Sequence, residues 1–450
     1  MQDAYVLTAR YIVTMDDAGT VHSPGYIELK DARITSVGSL EDAPQSSERI
    51  DYGNAAIIPG LINSHTHAAM TLLRGVADDL ALDEWLENHI WPLEAKFLSP
   101  EFIRAGTRLA AVEMLKAGTT LFADMYFFED EVAAAAKDVG IRVFIGEGIL
   151  AFPTVSAKEP DKVFDLIRSQ VERYQGDELV SVHIAAHSTY ATSEEQLRHC
   201  AELAGEFNLP IQIHCAETEK EVKESLARHG RSQVAYLESL GLLDARNTRN
   251  TRNIRNTRIN LVHMVWPQEG DWELLKRDNV SVVSCPQSNL KLASGIPPLA
   301  RYIDEGIGVS LGTDGAASNN NLDIWEELRL AAFLAKGTSL DPTKLPARQA
   351  LRMVTIDAAR IWGMDEWLGS LEPGKKADLV VVDLSNPHTT PTYDIYSTLV
   401  YAACAADVRD VFIAGRRVVK EGRITTLDEK SVLAEAHEWS QRIVLTRSNV

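Results

Sequence analysis

The chain has 450 residues, of which 45% are hydrophobic and 24% are charged, proportions close to those of ordinary globular proteins. Its 45 basic and 64 acidic residues give a formal net charge of -19, which opposes binding to nucleic acid or to an anionic membrane surface. No apolar run approaches the roughly 18 residues needed to cross a bilayer and the N-terminal stretch lacks a signal-peptide pattern, so we expect a cytoplasmic protein.

Short strands are the first predicted elements. Residues 1–56 contain the alternating stretches YVLTARYIVTM and GYIELKDARITSVG. Too few strands are present here to bury a core. We therefore expect this segment to pair with a later part of the chain.

β-rich runs then alternate with helical stretches from Ile57 to about Trp362, which is typical of a parallel sheet built from β-α units. The predicted strands cover 57–65, 119–125, 142–149, 181–187, 210–215, 259–263, 280–285 and 308–314. Eight such units predict an α/β fold, a (β/α)8 TIM barrel over residues 57–366. The active site of such a barrel lies at the carboxyl ends of its strands.

The pattern returns to short strands after the barrel. Residues 367–426 include LGSLEPGKKADLVVVDL and VRDVFIAGRRVVKEGRI. We predict that they join residues 1–56 in a small β-sandwich beside the barrel, and that residues 427–450 form a C-terminal helix.

A three-residue repeat with five arginines, RNTRNTRNIRNTR at 246–258, lies between the fifth and sixth predicted strands. A basic strip could bind phosphate. This connection, however, belongs to the barrel face opposite the active site. We interpret it as an expanded solvated loop.

Polar side chains recur where the predicted barrel strands end. Five of the twelve histidines lie there, together with an aspartate after the eighth strand: His65, His67, His187, His214, His263 and Asp314. Because all these strand ends converge on one pocket, the set is costly to bury without a shared partner. Histidine and carboxylate ligands suit zinc, although iron and manganese accept similar sites. We predict that His65, His67, His214 and Asp314 bind one divalent metal ion per subunit, with zinc as the first choice.

Several motifs resemble those of the amidohydrolase superfamily. They are HTH after PGLIN, HCAETE at 214–219, LVHMVW at 261–266, CPQSNLKL at 285–292 and LGTDGAASNN at 311–320. More narrowly, nearly the whole chain is similar to the 5'-methylthioadenosine/S-adenosylhomocysteine deaminase family. The resemblance implies the same four metal ligands. It also implies hydrolytic deamination of 5'-methylthioadenosine, S-adenosylhomocysteine or adenosine, which yields the inosine analogue and ammonia.

Three residues are candidates for catalysis. Glu217 follows His214 by three residues, and a carboxyl group there can move a proton from water to the purine ring. Alternatively, Glu217 and Glu219 only begin a helix. We expect His263 to orient the attacking water, and Asp314 both to bind the metal and to accept a proton as the amine leaves.

Candidate substrate contacts rest mainly on the resemblance. The segment 68–100 is long for a β-α loop, and we predict that it acts as a lid. In the resembled family a tryptophan here covers the substrate and a glutamate holds the ribose hydroxyls, positions matched by Trp85 and Glu94. An ordinary amphipathic helix is the alternative for Trp85. His187 is expected to contact the purine, and Ser318 the far end of the ligand.

Glu147 departs from the family pattern, which has basic residues near the end of the third strand. Since a carboxylate there opposes the amino-acid tail of S-adenosylhomocysteine, methylthioadenosine or adenosine is favoured. Glu147 also raises the question of a second metal, bridged by a carboxylate.

Two other functions remain open from the sequence. One is a related amidohydrolase acting on guanine or an s-triazine, as an aminohydrolase or a chlorohydrolase, since barrel loops change substrates without changing metal ligands. The other is a non-catalytic scaffold that binds a partner through the arginine strip, against which the full ligand set and Glu217 argue. We expect a small nucleoside as the partner, neither nucleic acid nor membrane. The chain could form a homo-oligomer, but the sequence does not determine its oligomeric state.

Overall fold

The computed structural model describes residues 5–45, 48–244 and 257–447. Nearly all of the arginine repeat at 246–258 lies outside the described residues, and so the loop interpretation stays a prediction. Within these ranges no helix combines the length and apolar character required to cross a bilayer.

Eight successive β-α units form the larger part of the fold. Their strands run parallel and neighbour one another in chain order, within a sheet of four strands and a sheet of six. They are Leu61–Thr66, Thr119–Asp124, Arg142–Ile145 continued by Gly148–Ile149, Val180–Val182 continued by Ile184–Ser188, Ile211–Cys215, Ile259–His263, Val280–Ser284 and Gly308–Leu311. This is a TIM-barrel α/β arrangement, hereafter the barrel.

The eighth unit returns to the first. The amide of Asp314 donates a hydrogen bond of 3.0 Å to the carbonyl of His65. In the described part of the chain no strand ladder pairs Gly308–Leu311 with Leu61–Thr66. Asn63 adds two hydrogen bonds between these units: its Oδ1 accepts from the amide of Thr313 at 3.0 Å, and its Nδ2 donates to the hydroxyl of Thr313 at 2.7 Å.

The first predicted strand, 57–65, is two strands. Ala55–Pro59 pairs antiparallel with Leu379–Asp383, whereas Leu61–Thr66 pairs with the second barrel strand. Gly60 joins them, and a Cβ atom at this position would collide with the side chain of Thr120. The first barrel strand consequently begins at Leu61 rather than at Ile57.

Two further sheets contain the remaining strands. One has the order Arg33–Ser39, Gly25–Lys30, Tyr5–Ala9 and Glu48–Asp51; the other has the order Arg423–Ile424, Arg416–Lys420, Val408–Ile413, Leu379–Asp383, Ala55–Pro59, Tyr11–Val13 and Val21–His22. Leu7 and Ile27 of the first sheet pack in one buried apolar cluster with Leu379 and Phe412 of the second. The N-terminal and C-terminal segments thus share a core.

Helices connect the barrel strands and extend beyond them. The α-helices are Leu82–Trp85, Trp91–Phe97, Pro100–Lys116, Glu129–Val139, Lys162–Arg173, Glu194–Phe207, Glu219–His229, Gln233–Ser239, Trp272–Leu275, Pro286–Lys291, Leu299–Asp304, Ala316–Asn319, Ile324–Ser339, Ala347–Arg352, Ile356–Ile361, Ile395–Ser397 and Glu429–Arg447. Short 3-10 or π turns cover Leu40–Asp42, Ala68–Leu73, Leu86–Ile90, Glu269–Asp271, Pro387–Thr389, Thr398–Ala402 and Ala405–Asp407. The last helix packs on the barrel, with the Trp439 ring 5.2 Å from that of Phe102. The sequence predicted this helix over residues 427–450, and in the described residues it covers Glu429–Arg447.

Candidate metal centre and active site

Four histidines and one aspartate converge at the carboxyl ends of the barrel strands; we call them the histidine cluster. They are His65, His67, His214, His263 and Asp314. The Nε2 atoms of His65 and His67 lie 3.6 Å and 3.2 Å from Oδ1 of Asp314, and that of His214 lies 3.1 Å from Nε2 of His65. These atoms could reach one shared ion.

Each ring of the cluster directs its Nδ1 atom toward an oxygen. The pairs are His65 with Gln212 Oε1 (2.8 Å), His67 with the Met125 carbonyl (2.5 Å), His214 with the His187 carbonyl (2.7 Å) and His263 with Asn289 Oδ1 (2.9 Å). A neutral ring that donates from Nδ1 keeps a lone pair on Nε2. The Nε2 lone pairs repel one another and also repel the Asp314 carboxylate. A cation bound between these groups would remove the repulsion. The donor set therefore fits a divalent metal ion.

Asp314 is held through both carboxylate oxygens. Its Oδ1 accepts from the amide of Gly315 at 2.8 Å, and its Oδ2 accepts from the hydroxyls of Ser288 at 2.6 Å and Ser318 at 3.0 Å. Burial would raise the pKa of Asp314, but hydrogen bonds from the cluster histidines hold it well below its ordinary value. The carboxylate therefore stays charged and fixed in direction.

The backbone is unfavourable at two members of the cluster. Asp314 has φ of 61° and His263 has φ of 73°, in the left-handed region that residues with a Cβ atom rarely adopt. Such conformations persist where the surrounding structure enforces them, and they concentrate at functional sites.

Protonation in the cluster follows burial and charge. Burial lowers the pKa values of His65, His214 and His263. For His67, burial alone would lower the pKa, but the hydrogen bond to Asp314 and its charge raise it to about 9. The cluster thus attracts positive charge, which a divalent cation would supply in place of that proton.

Glu217 lies beside the cluster after the fifth barrel strand. Its Oε2 is 3.6 Å from Nε2 of His263, and its Oε1 accepts from the hydroxyl of Ser294 at 3.3 Å. Burial, reinforced by the charge of Asp314, raises the pKa of Glu217 to about 8. A carboxyl group that titrates near neutral pH can both accept and return a proton.

The helix Glu219–His229 fixes the position of Glu217. Thr218 caps this helix in a capping box with Glu221, whose carboxylate also accepts the amide of Glu217. Glu219 is exposed in the first turn, whereas Glu217 is 6% exposed and faces the cluster. The helix-start alternative therefore applies to Glu219 alone.

A pocket of about 310 Å³ opens above the cluster and Glu217. Its wall includes all five residues predicted to contact substrate: Trp85, Glu94, His187, Glu217 and Ser318. Trp85 is 5% exposed: its side chain lines the pocket and also packs in the apolar core, as it would on the buried face of an amphipathic helix. Ser318 donates to Asp314 and therefore lies beside the cluster, at the floor of the pocket. Its contact with the far end of the ligand stays a prediction.

Comparison with known proteins identifies the family. The model of the "Amidohydrolase family" matches residues 56–418. A 5-methylthioadenosine/S-adenosylhomocysteine deaminase from Thermodesulfovibrio yellowstonii is 44% identical over 448 residues, which cover 98% of this chain and 99% of the relative. The chain belongs to the amidohydrolase family. The resemblance inferred from the motifs is confirmed.

Two further relatives of this amidohydrolase carry related names. A 5'-deoxyadenosine deaminase from Methanosarcina acetivorans is 40% identical over 99% of both chains. The crystal structure of an adenosine deaminase from Xanthomonas campestris with bound zinc superposes with a TM-score of 0.92 at 38% identity and covers 98% of each chain. Members of this family are metal-dependent hydrolases.

Three residues that orient side chains of the site were not among the predicted site residues. The Tyr126 hydroxyl donates to Glu94, Gln212 orients His65 and Asn289 orients His263. Gln212 could have been found, because it precedes His214 by two residues and side chains two apart share a strand face. Asn289 lies within the CPQSNLKL motif, but nothing local pairs it with His263.

Glu147 of the amidohydrolase faces away from the pocket. Its oxygens accept from the amides of Phe128 and Glu129, both at 3.1 Å, and the hydroxyl of Ser156 also donates to it. Glu147 is fully buried and holds the start of the helix Glu129–Val139. The predictions that it opposes a ligand tail or bridges a second metal are therefore wrong, since its lone pairs serve the helix.

Proposed function

We propose that this amidohydrolase is a metal-dependent hydrolytic deaminase of adenine nucleosides and thionucleosides, which converts 5'-methylthioadenosine, S-adenosylhomocysteine or adenosine to the inosine analogue and ammonia. One observation carries the proposal: the buried Glu217 carboxyl, 3.6 Å from His263, lies beside a donor set for a cation at the floor of a pocket. The names of three relatives support the substrate class.

His65, His67, His214 and Asp314 would hold one divalent ion, with zinc as the first choice. When bound, the ion supplies hydroxide near neutral pH, because it lowers the pKa of water to about 7. Zinc in the Xanthomonas adenosine deaminase supports this assignment. Three nitrogens and a carboxylate would also suit iron or manganese.

Glu217 accepts a proton from the attacking water and delivers it to the purine ring nitrogen beside the attacked carbon. The pKa near 8 makes both transfers accessible at neutral pH. His263 donates from Nδ1 to Asn289, and its Nε2 therefore accepts from the water and orients it. Asp314, fixed by its two serine hydrogen bonds, takes the proton of the hydroxyl group newly bonded to the ring carbon and passes it to the amine, so that a C=O bond forms as the C–N bond breaks and ammonia leaves.

Lid and wall residues would hold the nucleoside. Trp85 covers the purine, and Glu94 accepts from the ribose hydroxyls with the oxygen that Tyr126 does not use. Burial lowers the pKa of His187 to about 4, so that a neutral ring faces the purine. Ser318 contributes at the floor, through Asp314.

We also propose the domain division. The terminal segments, residues 1–56 and 367–426, form a small β-sandwich beside the barrel, and the C-terminal helix follows. The apolar cluster that both terminal sheets share supports this division. Gly60, where the chain passes from one sheet to the other, is the boundary that the strand pairing favours.

A substrate panel tests the function. Protein fully loaded with zinc is incubated with methylthioadenosine, adenosine, guanine and a chlorotriazine, and ammonia release is measured together with the adenine absorbance. We expect deamination of the adenine nucleosides. An unchanged adenine spectrum would contradict the proposal, and turnover of guanine or the triazine alone would support the related-amidohydrolase alternative.

A further inference from the structure

The pocket wall away from the histidine cluster comes from two elements. The lid contributes Leu82, Leu86 and Trp91, and the loop after the third barrel strand contributes Leu150, Phe152 and Val155. These side chains are aliphatic or aromatic. The end of a ligand that lies beyond the ribose would therefore meet an apolar surface.

No described residue that lines the pocket is a lysine or an arginine. The lining side chains with formal charge are acidic: Glu94, Glu217 and Asp314. The remaining ionisable side chains of the lining, apart from the tyrosines, are His187 and three histidines of the cluster, His67, His214 and His263.

Basic residues on neighbouring elements do not compensate. Lys96 on the lid and Lys158 on the loop are exposed and do not line the pocket. Lys220 pairs with Asp83 of the lid at 2.5 Å. The hydroxyl of Thr154, which does line the pocket, accepts from the amide of Ala157 at 2.9 Å. A carboxylate in this pocket would find no basic partner among the described residues that line it.

Adenine nucleosides named among the relatives' substrates differ at the 5' position. A methylthio or deoxy group is uncharged and apolar, whereas the homocysteine tail carries an ammonium and a carboxylate. The ammonium group of the tail could form an ion pair with Glu94. The carboxylate would lose water without gaining a counter-charge, which is unfavourable.

We propose that the pocket selects adenine nucleosides with an uncharged, apolar 5' substituent and discriminates against the amino-acid tail of S-adenosylhomocysteine. The inference rests on the proposed deaminase function and narrows its substrate class. Its physical basis is an apolar wall without a basic residue. Glu147 has no part in it, because that side chain faces away from the pocket.

Four substrates separate the charge of the tail from its length. We would measure kcat/KM of the zinc-loaded protein for methylthioadenosine, 5'-deoxyadenosine, 5'-butylthioadenosine and S-adenosylhomocysteine. We expect kcat/KM for 5'-butylthioadenosine to equal or exceed that for methylthioadenosine, and the value for 5'-deoxyadenosine, which buries less apolar surface, to be lower. We expect S-adenosylhomocysteine to be lower than methylthioadenosine by roughly 10- to 100-fold, the cost of an unpaired charged group. Calorimetric binding to the Glu217→Gln variant should give the same order.

Three outcomes would contradict the inference or the function on which it rests. S-adenosylhomocysteine within about threefold of methylthioadenosine would overturn the inference, as would butylthioadenosine as poor as S-adenosylhomocysteine, since length would then be the cause. Failure to deaminate any adenine nucleoside would instead overturn the proposed function, and the inference with it.

A gain-of-function variant tests the missing charge directly. Phe152 lines the pocket and is 46% exposed, which leaves room for another side chain. We expect Phe152→Arg to raise the ratio of kcat/KM for S-adenosylhomocysteine over methylthioadenosine by about fivefold or more, and Phe152→Gln to leave it unchanged. An equal rise in both variants, or none in the arginine variant, would contradict a charge-based selection.

Discussion

The Nε2 atoms of His65 and His214 lie 3.1 Å apart, although each ring directs its Nδ1 atom toward an oxygen acceptor. Both atoms therefore carry lone pairs that point at one another. A shared cation removes this repulsion. The same geometry that would bind a metal thus makes the metal-free site electrostatically unfavourable, and this couples metal binding to stability.

Removal of the metal should lower both activity and stability. We expect dialysis against a chelator to abolish deamination and to lower Tm by at least about 3 °C, because a ligand that binds only the folded state stabilises it by mass action. Added zinc should restore both. The His214→Ala variant is the control, since its Tm should not respond to the chelator. A metal-free protein with full activity would contradict the proposed site.

Glu217→Gln should lose activity and keep its metal. The amide occupies the same space but cannot accept a proton from water, and we expect kcat to fall by about 10²- to 10⁴-fold. Glu219→Gln, two residues later and exposed, is the matched control and should behave like the natural protein. Metal analysis shows whether the site is intact. Retention of more than about a tenth of kcat in Glu217→Gln would exclude a proton shuttle there.

Two supporting amides should have different effects. Gln212 orients His65, a proposed ligand, and so Gln212→Leu should weaken metal affinity by about 10- to 100-fold in competition with a metal-binding dye. Asn289 orients His263, which we propose to accept a hydrogen bond from the attacking water. Asn289→Leu should therefore lower kcat at saturating metal and leave the affinity unchanged. If both variants lost metal affinity equally, the result would indicate that His263 is a metal ligand and would contradict its role in orienting water.

Glu94 should matter only for substrates with ribose hydroxyls. We expect Glu94→Gln to lower kcat/KM for adenosine by about 10-fold or more, because an anionic acceptor is replaced by a neutral amide. The value for 2',3'-dideoxyadenosine, which lacks both hydroxyls, should change much less. Tyr126→Phe, which releases Glu94 but keeps its charge, should be intermediate. Equal losses for the two nucleosides would remove Glu94 from ribose recognition.

Stability should depend on pH through Glu129, a fully buried acid near Asp124 and Glu147. Burial, with the charges of those two acids, raises the pKa of Glu129 well above its ordinary value of 4.5. Because the folded protein holds this proton more tightly than the unfolded chain does, protonated Glu129 adds to the free energy of unfolding. This contribution is fully present below the ordinary pKa and is lost as the pH rises toward the folded-state pKa. Glu129→Gln cannot ionise, so we expect its stability relative to the natural protein to increase with pH.

Urea unfolding at pH 5, 7 and 9 measures this difference. Glu195→Gln, on an exposed helix position, is the control and should show no such trend. A difference between Glu129→Gln and the natural protein that is the same at all three pH values would show that Glu129 does not ionise in this range.

The order of the barrel strands and the position of the cluster residues at their ends could be predicted from local patterns. Apolar runs that alternate with helices define the β-α units, and carboxyl ends of neighbouring parallel strands must meet at one face. His65, His214 and Asp314 are 249 residues apart at most, yet this rule alone predicts that they lie together. The division of the predicted strand 57–65 at Gly60 could not be predicted, because both strands that Gly60 separates are apolar and only their partners differ.

The fold class, the family and the set of converging residues could all be inferred without coordinates, since periodicity, spacing and motifs are enough to predict them. Which acid lines the pocket depends instead on contacts between distant elements: Glu217 lines it and Glu147 does not. Glu147 lies between the two parts of the third barrel strand, and Glu217 follows the fifth. The amides of Phe128 and Glu129 bind the carboxylate of Glu147, whereas the carboxyl group of Glu217 lies against Ser294 and His263. The direction of a buried side chain depends on donors supplied by other elements, and no local pattern encodes them.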